Sequence, residues 1–121
     1  MTTTMALTCE SGIATLIFCD HDTGYIRRVV LHKHFAYWLA VHVQHMLDPT
    51  PEIARPHVPM PPQFEPKATK NGGINLCVLP PLLQEGPRLF ADIDRETAEL
   101  LVKQLVQVAV HQHENTRKDT P

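Results

Sequence analysis

Short runs rich in Leu, Ile, Thr and Phe fill the first quarter of the chain. Residues 5–9 (MALTC) and 13–19 (IATLIFC) are separated by ESG, whose glycine suits a hairpin connection. DHDTG then supplies a second turn before YIRRVVL at residues 25–31. In that third run Arg27 shares one face with two apolar residues, whereas Arg28 lies on the other. The pattern predicts a three-stranded antiparallel meander.

The hydrophobic period changes after residue 31. From about residue 32 to residue 47, apolar side chains recur at helical spacing, which predicts an amphipathic helix. Its stripe comprises Phe35, Trp38, Leu39, Val43, Met46 and Leu47. Pro49 and Pro51 cannot continue a helix, so DPTP ends it. Residues 49–66 are crowded with prolines, and we expect extended chain there, named here the proline-rich strap.

The second half of the chain has a simpler pattern. INLCVL and RLFADI read as strands, and KNGG offers a turn before the first of them. Asp94 stands where a helix N-cap belongs, and a helix of about residues 95–113 follows. Its buried positions are expected to be Ala98, Leu101, Val102, Leu105, Val108 and Ala109.

Together these elements predict an α+β fold: a mainly antiparallel sheet of about five strands with two helices on one face. We expect one domain over residues 1–121, divided into 1–48, the strap at 49–66, and 67–121. Strand, turn, strand and helix occur twice, and an offset of 62 pairs Leu31 with Ile93. A ββα duplication is one explanation. Because any strand followed by an amphipathic helix aligns in this way, that hypothesis stays open.

Composition and charge narrow the range of functions. The chain has 121 residues and a net charge of −2, with no basic stripe, which argues against nucleic acid as a partner. The three cysteines share no CxxC spacing and are expected to be reduced thiols. The start lacks the features of a signal peptide, and no apolar run reaches the roughly 18 residues of a membrane span. These features predict a cytoplasmic protein without a membrane segment.

Four histidines crowd the stretch LHKHFAYWLAVHVQHML, at His32, His34, His42 and His45. Histidine is a common transition-metal ligand, so a metal site is the alternative to a helix with imidazoles along its rim. On one helix, however, His34 and His45 would lie about 16 Å apart along the axis, and one ion cannot join them. No HExxH motif is present either. We therefore expect no metal and no other cofactor.

The proline-rich strap offers a recognition surface for a protein partner. RPHVPMPPQF would display Met60 and Phe64 as apolar anchors, with Arg55 and His57 as polar contacts. Tyr37, beside the apolar stripe of the first helix, is a further candidate contact. The alternative is that the strap is only a linker returning the chain to the sheet.

The last helix carries more apolar surface than one stripe. Leu100, Val106 and Val110 widen it beyond what a helix on a small sheet needs, and this surplus predicts a homodimer. Alternatively, the strap covers that flank within one chain.

These observations favour a binding protein over an enzyme, and no catalytic residue is predicted. We expect a small cytoplasmic protein that acts on a protein partner as an adaptor or an inhibitor. Phage and mobile elements encode many such antagonists of host machinery, a link that rests on size alone. The alternative is a metal-dependent hydrolytic enzyme that uses the histidine-rich first half. An enzyme should bring His32, His34 and a carboxylate to one point, whereas a binding module should show an apolar patch.

Overall fold

The structure is a computed structural model that describes residues 3–10, 13–52, 55–81 and 84–118, with side chains as far as residue 110. In these ranges three strands and a helix occur twice. The elements are β1 (Thr3–Glu10), β2 (Ile13–Asp20), β3 (Ile26–Leu31), α1 (Lys33–Leu47), β4 (Phe64–Ala68), β5 (Ile74–Val78), β6 (Leu89–Ile93) and α2 (Arg95–Lys118).

The six strands form two separate antiparallel sheets. The first sheet has the order β1-β2-β3 and the second the order β4-β5-β6. Strands β1 and β6 lie beside each other, but within the described residues no hydrogen-bonded ladder joins them. The α+β class is confirmed, whereas the prediction of one sheet of about five strands is wrong.

The additional strand, β4, lies at the end of the predicted strap. It runs from Phe64 to Ala68, and Pro66 pairs with Leu76 on β5. Proline lacks an N–H and interrupts a ladder, so it is confined to edge strands, and β4 is an edge strand of its sheet. The proline content therefore concealed a strand that needs hydrogen bonds on one side only.

The strands alternate between a buried face and an outer face. In β2 the fully buried residues are Ala14, Leu16 and Phe18, and in β5 the corresponding residues are Ile74, Leu76 and Val78. Side chains two residues apart point to the same face of a sheet, so each central strand presents an apolar row to the core.

Both helices begin where the sequence places them. His32 is the N-cap of α1, in an extended conformation. Asp94 caps α2, because its carboxylate accepts a 2.7 Å hydrogen bond from the backbone N–H of Thr97. Hydrogen bonds from Thr97 lower the pKa of Asp94. Neither helix, in its described part, is long and apolar enough to cross a membrane.

The two halves of the chain share one hydrophobic core. The helices pack against each other, α1 also contacts β4 and β5 of the second sheet, and α2 contacts β2 of the first. Each helix thus meets the sheet of the other half. The core includes Leu39 and Val43 from α1 and Leu101 and Leu105 from α2.

The repeated order is βββα and not the ββα of the sequence hypothesis. When the two halves are aligned at the offset of 62, the last residues of β3 and β6, Leu31 and Ile93, coincide. The first residues of the two helices, Lys33 and Arg95, coincide as well. The duplication itself stays a hypothesis, now with three strands in each unit.

Candidate functional site

The four histidines lie in four different surroundings. His32 caps α1 beside Phe35, and the ring of His34 lies 6.3 Å from that of Trp38. His42 is buried, with its Nε2 atom 3.0 Å from the carbonyl oxygen of Val58 in the strap. His45 lines a groove between the two helices. The imidazoles are spread along the helix and do not face a common point.

Metal-ligating side chains do not cluster elsewhere in the described part of the chain. There, no group of three or more His, Cys, Asp or Glu residues is placed to hold a metal ion. The convergence of His32, His34 and a carboxylate, which the hydrolytic alternative requires, is not present among these residues. The histidine-rich stretch forms α1 and its N-cap, with His32 and His34 exposed and His42 buried.

The strap residues proposed as partner contacts divide into exposed and buried ones. Arg55, His57 and Met60 are exposed. Phe64, expected as an exposed anchor, is only 2% exposed and belongs to the core, because it begins β4 and faces inward. It is therefore not available to a partner. Tyr37 is exposed on α1.

The apolar surplus of α2 is exposed, but on two flanks. Leu100 and Val106 are six residues apart, about 600° of helical rotation, so they point in different directions. Val106 lines the groove with α1, of about 330 Å³, whereas Leu100 lies near Glu96 and Lys103. Val110 is one turn beyond Val106 and is exposed. The described part of the strap leaves all three side chains uncovered.

The outer face of the first sheet is apolar and uncovered. The register places on it Thr4, Ala6, Thr8, Glu10, Ile13, Thr15, Ile17, Cys19, Ile26, Arg28 and Val30. Ile13, Ile26 and Val30 are exposed aliphatic residues, and Val30 is 51% exposed. Near the middle of this face Arg28 is the charged residue, opposite Ile17.

The outer face of the second sheet is polar by comparison. Its residues in the register are Glu65, Lys67, Asn75, Cys77, Phe90 and Asp92. The side-chain amide of Asn75 donates a 2.6 Å hydrogen bond to Asp92. Phe90 is the large exposed apolar residue on this face.

A polar cleft of about 360 Å³ lies along the free edge of β3, and we name it the arginine cleft. It is lined by Tyr25, Ile26, Arg27, Arg28, Val29, Val30, Gln63, Pro81 and Gln84. Among the described residues, none that lines the cleft carries a carboxylate. Gln63 closes one side in a left-handed backbone conformation, with φ of 71°.

Arg27 is the most unusual side chain of this cleft. It is 6% exposed, and its guanidinium donates 2.6 Å hydrogen bonds from Nη1 to the carbonyl oxygen of Leu79 and from Nη2 to the hydroxyl of Tyr25. The Cζ atom of its guanidinium lies 5.4 Å from the centre of the Tyr25 ring. Both acceptors are neutral, and the described residues include no ion pair to Arg27.

Sequence reasoning did not select Arg27 as a functional residue, although a signal was present. In YIRRVVL two adjacent arginines occupy a strand, so one of them must face the core. Alternation assigns Arg27 to that side, with Val29 and Leu31. A charged residue at a core position of a strand is the feature that could have drawn attention to it.

Comparisons with known proteins do not identify the chain. No protein-family description matches it, and no curated protein is similar to it. Its function must therefore be argued from its own residues.

Proposed function

We propose that this chain is a small non-catalytic binding protein, an adaptor or an inhibitor, that docks a protein partner on the outer face of its first sheet. One observation carries the proposal: this face exposes the aliphatic residues Ile13, Ile26 and Val30, and Arg28 is the charged residue near its middle. An exposed apolar patch is a common mark of a protein-interaction surface.

Docking on this face would cost little in desolvation. Apart from Arg28 and the terminal Glu10, its side chains are aliphatic residues, threonines and a cysteine. Charged residues are depleted at the centre of protein interfaces, because a charge removed from water there must find a partner. A single arginine suits such a surface, since arginine is enriched at interfaces.

The other exposed candidates are proposed as additional contacts. Tyr37 on α1, and Arg55, His57 and Met60 on the strap, are accessible to a partner larger than the sheet face. The three free cysteines support a reducing compartment, and we place the protein in the cytoplasm.

Self-association through α2 is a separate part of the proposal. Val106 and Val110 lie on one flank and would pair with the same flank of a second copy, whereas Leu100 would contribute only at the other flank. Sedimentation equilibrium at micromolar concentration should show a dimer that Val106→Glu dissociates without unfolding the chain. A wild-type protein that sediments as a monomer would contradict the proposed self-association through α2.

A matched pair of surface variants tests the docking face. Val30 and Phe90 are both 51% exposed, on edge strands of the first and second sheet, so Val30→Lys and Phe90→Lys are similar changes on different faces. Each tagged protein is incubated with lysate of its native host, and retained proteins are quantified by mass spectrometry. Circular dichroism establishes that both variants are folded.

We expect a protein that wild type and Phe90→Lys retain and Val30→Lys loses. Its binding should then be reproduced with purified components. Equal retention by both variants, or equal loss, would mean that the outer face of the first sheet is not the docking surface.

A further inference from the structure

We propose that the free edge of β3 binds an extended segment of a protein partner, which joins the first sheet as a further antiparallel strand. The segment carries an acidic residue opposite Arg28 and apolar residues two positions to either side of it. This inference rests on the proposed function, because it specifies how a partner engages the first sheet. Strand addition to an exposed sheet edge is a recurring mode of peptide recognition, in which main-chain hydrogen bonds supply affinity.

The register of the first sheet shows which backbone groups of β3 lie at this edge. The backbone N–H of Asp20 donates a 2.9 Å hydrogen bond to the carbonyl oxygen of Tyr25, so these residues form a hydrogen-bonded pair beside the turn. In an antiparallel ladder such pairs alternate with non-hydrogen-bonded ones. Ile26, Arg28 and Val30 therefore direct their backbone groups away from β2, to the free edge.

These edge groups are available to a further strand. Beyond the ladder with β2, no hydrogen bond of the described residues involves the backbone of Ile26, Arg28 or Val30. The side chain of Arg28 is exposed, and the described residues include no ion pair to it. An edge with a row of unpaired N–H and C=O groups is a template for pairing with another chain.

The other edges of the two sheets are covered or blocked. β1 and β6 lie beside each other, so each occupies the space next to the other. On β4, the hydrogen bond from the N–H of Leu79 to the carbonyl oxygen of Gln63 fixes the alternation and places Pro66 at an outward position. Proline has no N–H to offer there, and edge prolines are one of the ways in which proteins prevent strand addition. The central outward position of β3 holds Arg28 instead, which keeps its N–H.

Space for a further strand exists beside this edge. The arginine cleft, of about 360 Å³, is lined by residues 25–30 and by Gln63, Pro81 and Gln84, and by none of the described residues of β2. It therefore lies on the side of β3 that faces away from β2. Because the chain itself supplies the other wall, the cleft suits one extended segment better than the edge of a second complete sheet.

The outer-face side chains of β3 determine which segment is best matched. A residue directly opposite Arg28 would share its face of the sheet, and an acidic side chain there forms a favourable cross-strand pair. Ile26 and Val30 lie two positions to either side and are 47% and 51% exposed. Apolar residues opposite them would remove this surface from water. The expected segment therefore presents an apolar, an acidic and an apolar residue on one face.

Protection of the edge is the competing explanation for Arg28. Charged side chains on edge strands discourage pairing between copies of a protein. That role does not require an open cleft beside the edge, and a single positive charge attracts an acidic strand. The two explanations differ in whether an acidic strand binds through its backbone.

Two methylated peptides make this distinction. The probe is the peptide acetyl-TVTETVT-amide, in which the valines and the glutamate share one face of an extended chain. When the glutamate pairs with Arg28, its N–H points to β3, whereas the N–H groups of the adjacent threonines point away. One variant peptide is therefore N-methylated at the glutamate, and its matched control is N-methylated at the next threonine. Binding to the full chain is followed by nuclear magnetic resonance.

We expect saturable binding of the unmethylated peptide. The amides of residues 26, 28 and 30 should shift and become protected from hydrogen exchange, whereas those of residues 27 and 29, already bonded to β2, should change little. Methylation at the glutamate should weaken binding about tenfold, because a main-chain hydrogen bond is lost. Methylation at the threonine should have a much smaller effect.

Variants of the protein test the same edge from the other side. Arg28→Gln should weaken binding about threefold, because the cross-strand charge pair is lost. Lys103→Gln removes the same charge from the exposed face of α2 and should leave the affinity unchanged. Arg28→Pro reproduces on this edge the block that Pro66 provides on β4, and it should abolish binding. Should that variant fail to fold, the methylated peptides still decide the question.

Shifts that do not saturate, or equal weakening by the two methyl groups, would overturn strand addition, and Arg28 would then only protect the edge. Equal affinities of Arg28→Gln and Lys103→Gln would overturn the acidic residue opposite Arg28. These outcomes are separate from the lysate comparison. A partner lost from Val30→Lys without peptide binding would keep the docking face and remove strand addition. Peptide binding with equal retention by Val30→Lys and Phe90→Lys would keep the edge and remove the face.

Discussion

The two sheets of this protein have the same topology, but their outer faces differ in chemical character. Each is a three-stranded antiparallel meander whose central strand buries a row of apolar residues. On the outside the first sheet exposes Ile13, Ile26 and Val30, whereas the second carries Glu65, Lys67 and the hydrogen-bonded Asn75–Asp92 pair. Since the same architecture tolerates either surface, folding does not require the apolar one. We propose that the difference reflects a partner docked on the first sheet.

The largest expected effect concerns the rows that the sheets have in common. Leu16 on β2 and Leu76 on β5 are both fully buried in one core. Leu16→Ala and Leu76→Ala should each lower the free energy of unfolding by roughly 2–5 kcal/mol, because each leaves a cavity. Urea unfolding followed by circular dichroism measures both. A loss below about 1 kcal/mol for one variant alone would mean that the two sheets do not share the core equally.

The turns of the two sheets should respond differently to an added methyl group. A Cβ at Gly73, before β5, would overlap the backbone carbonyl oxygen of Ile93, so Gly73→Ala should cost roughly 1–3 kcal/mol. Gly24, between β2 and β3, has open space but a φ of 76°, and Gly24→Ala should cost about 1 kcal/mol. Equal unfolding midpoints of the Gly73→Ala and Gly24→Ala variants in urea would show that β6 does not approach the turn at Gly73 so closely.

Polar substitutions on the outer face of the first sheet should reduce its exposed apolar surface without lowering the free energy of unfolding. Ile26→Thr and Val30→Thr keep β-branched side chains and should change the free energy of unfolding by less than about 0.5 kcal/mol each. Combined, they should reduce the fluorescence of a hydrophobic dye, whereas Phe90→Thr on the second sheet should reduce it less. A combined loss above about 1 kcal/mol would indicate that the chain itself needs this face covered.

The smallest expected effect concerns the reactivity of one thiol on each sheet, measured on the folded protein. Cys9 on the first sheet is exposed, whereas Cys77 on the second is buried. Burial, and then the nearby Glu65, raise the pKa of the Cys77 thiol. Because a raised pKa lowers the thiolate fraction at a given pH, Cys77 should react with a disulfide reagent at pH 8 far more slowly than Cys9. The Cys9→Ser and Cys77→Ser variants show which kinetic phase of the thiol reaction belongs to which cysteine. Equal reaction rates of Cys9 and Cys77 would contradict the burial of Cys77.

Local patterns were sufficient to predict most elements of the fold. Alternation identified five of the six described strands, and helical spacing identified α1 and α2. The capping role of Asp94 followed from its position before an amphipathic run. These features depend on residues close in sequence, so the sequence determined them by itself.

The surfaces depended on contacts between distant segments. Phe64 looked like an anchor on a proline-rich strap, but pairing with Val78 makes it a buried strand residue. Leu100 and Val106 looked like one apolar surplus, but the position of α1 places only Val106 in a groove. Neither outcome can be read from a local pattern, because each requires the position of a second element.

The sequence alone determined which side chains share a face in each of the five predicted strands. Only the tertiary structure decided that β1 and β6 lie side by side without pairing, so that two sheets form instead of one. It also brought Gln63, Pro81 and Gln84 to the free edge of β3 and so created the arginine cleft. The physical reason is that side-chain direction follows from backbone geometry within a few residues, whereas an interface is formed when packing of the whole chain brings remote segments together.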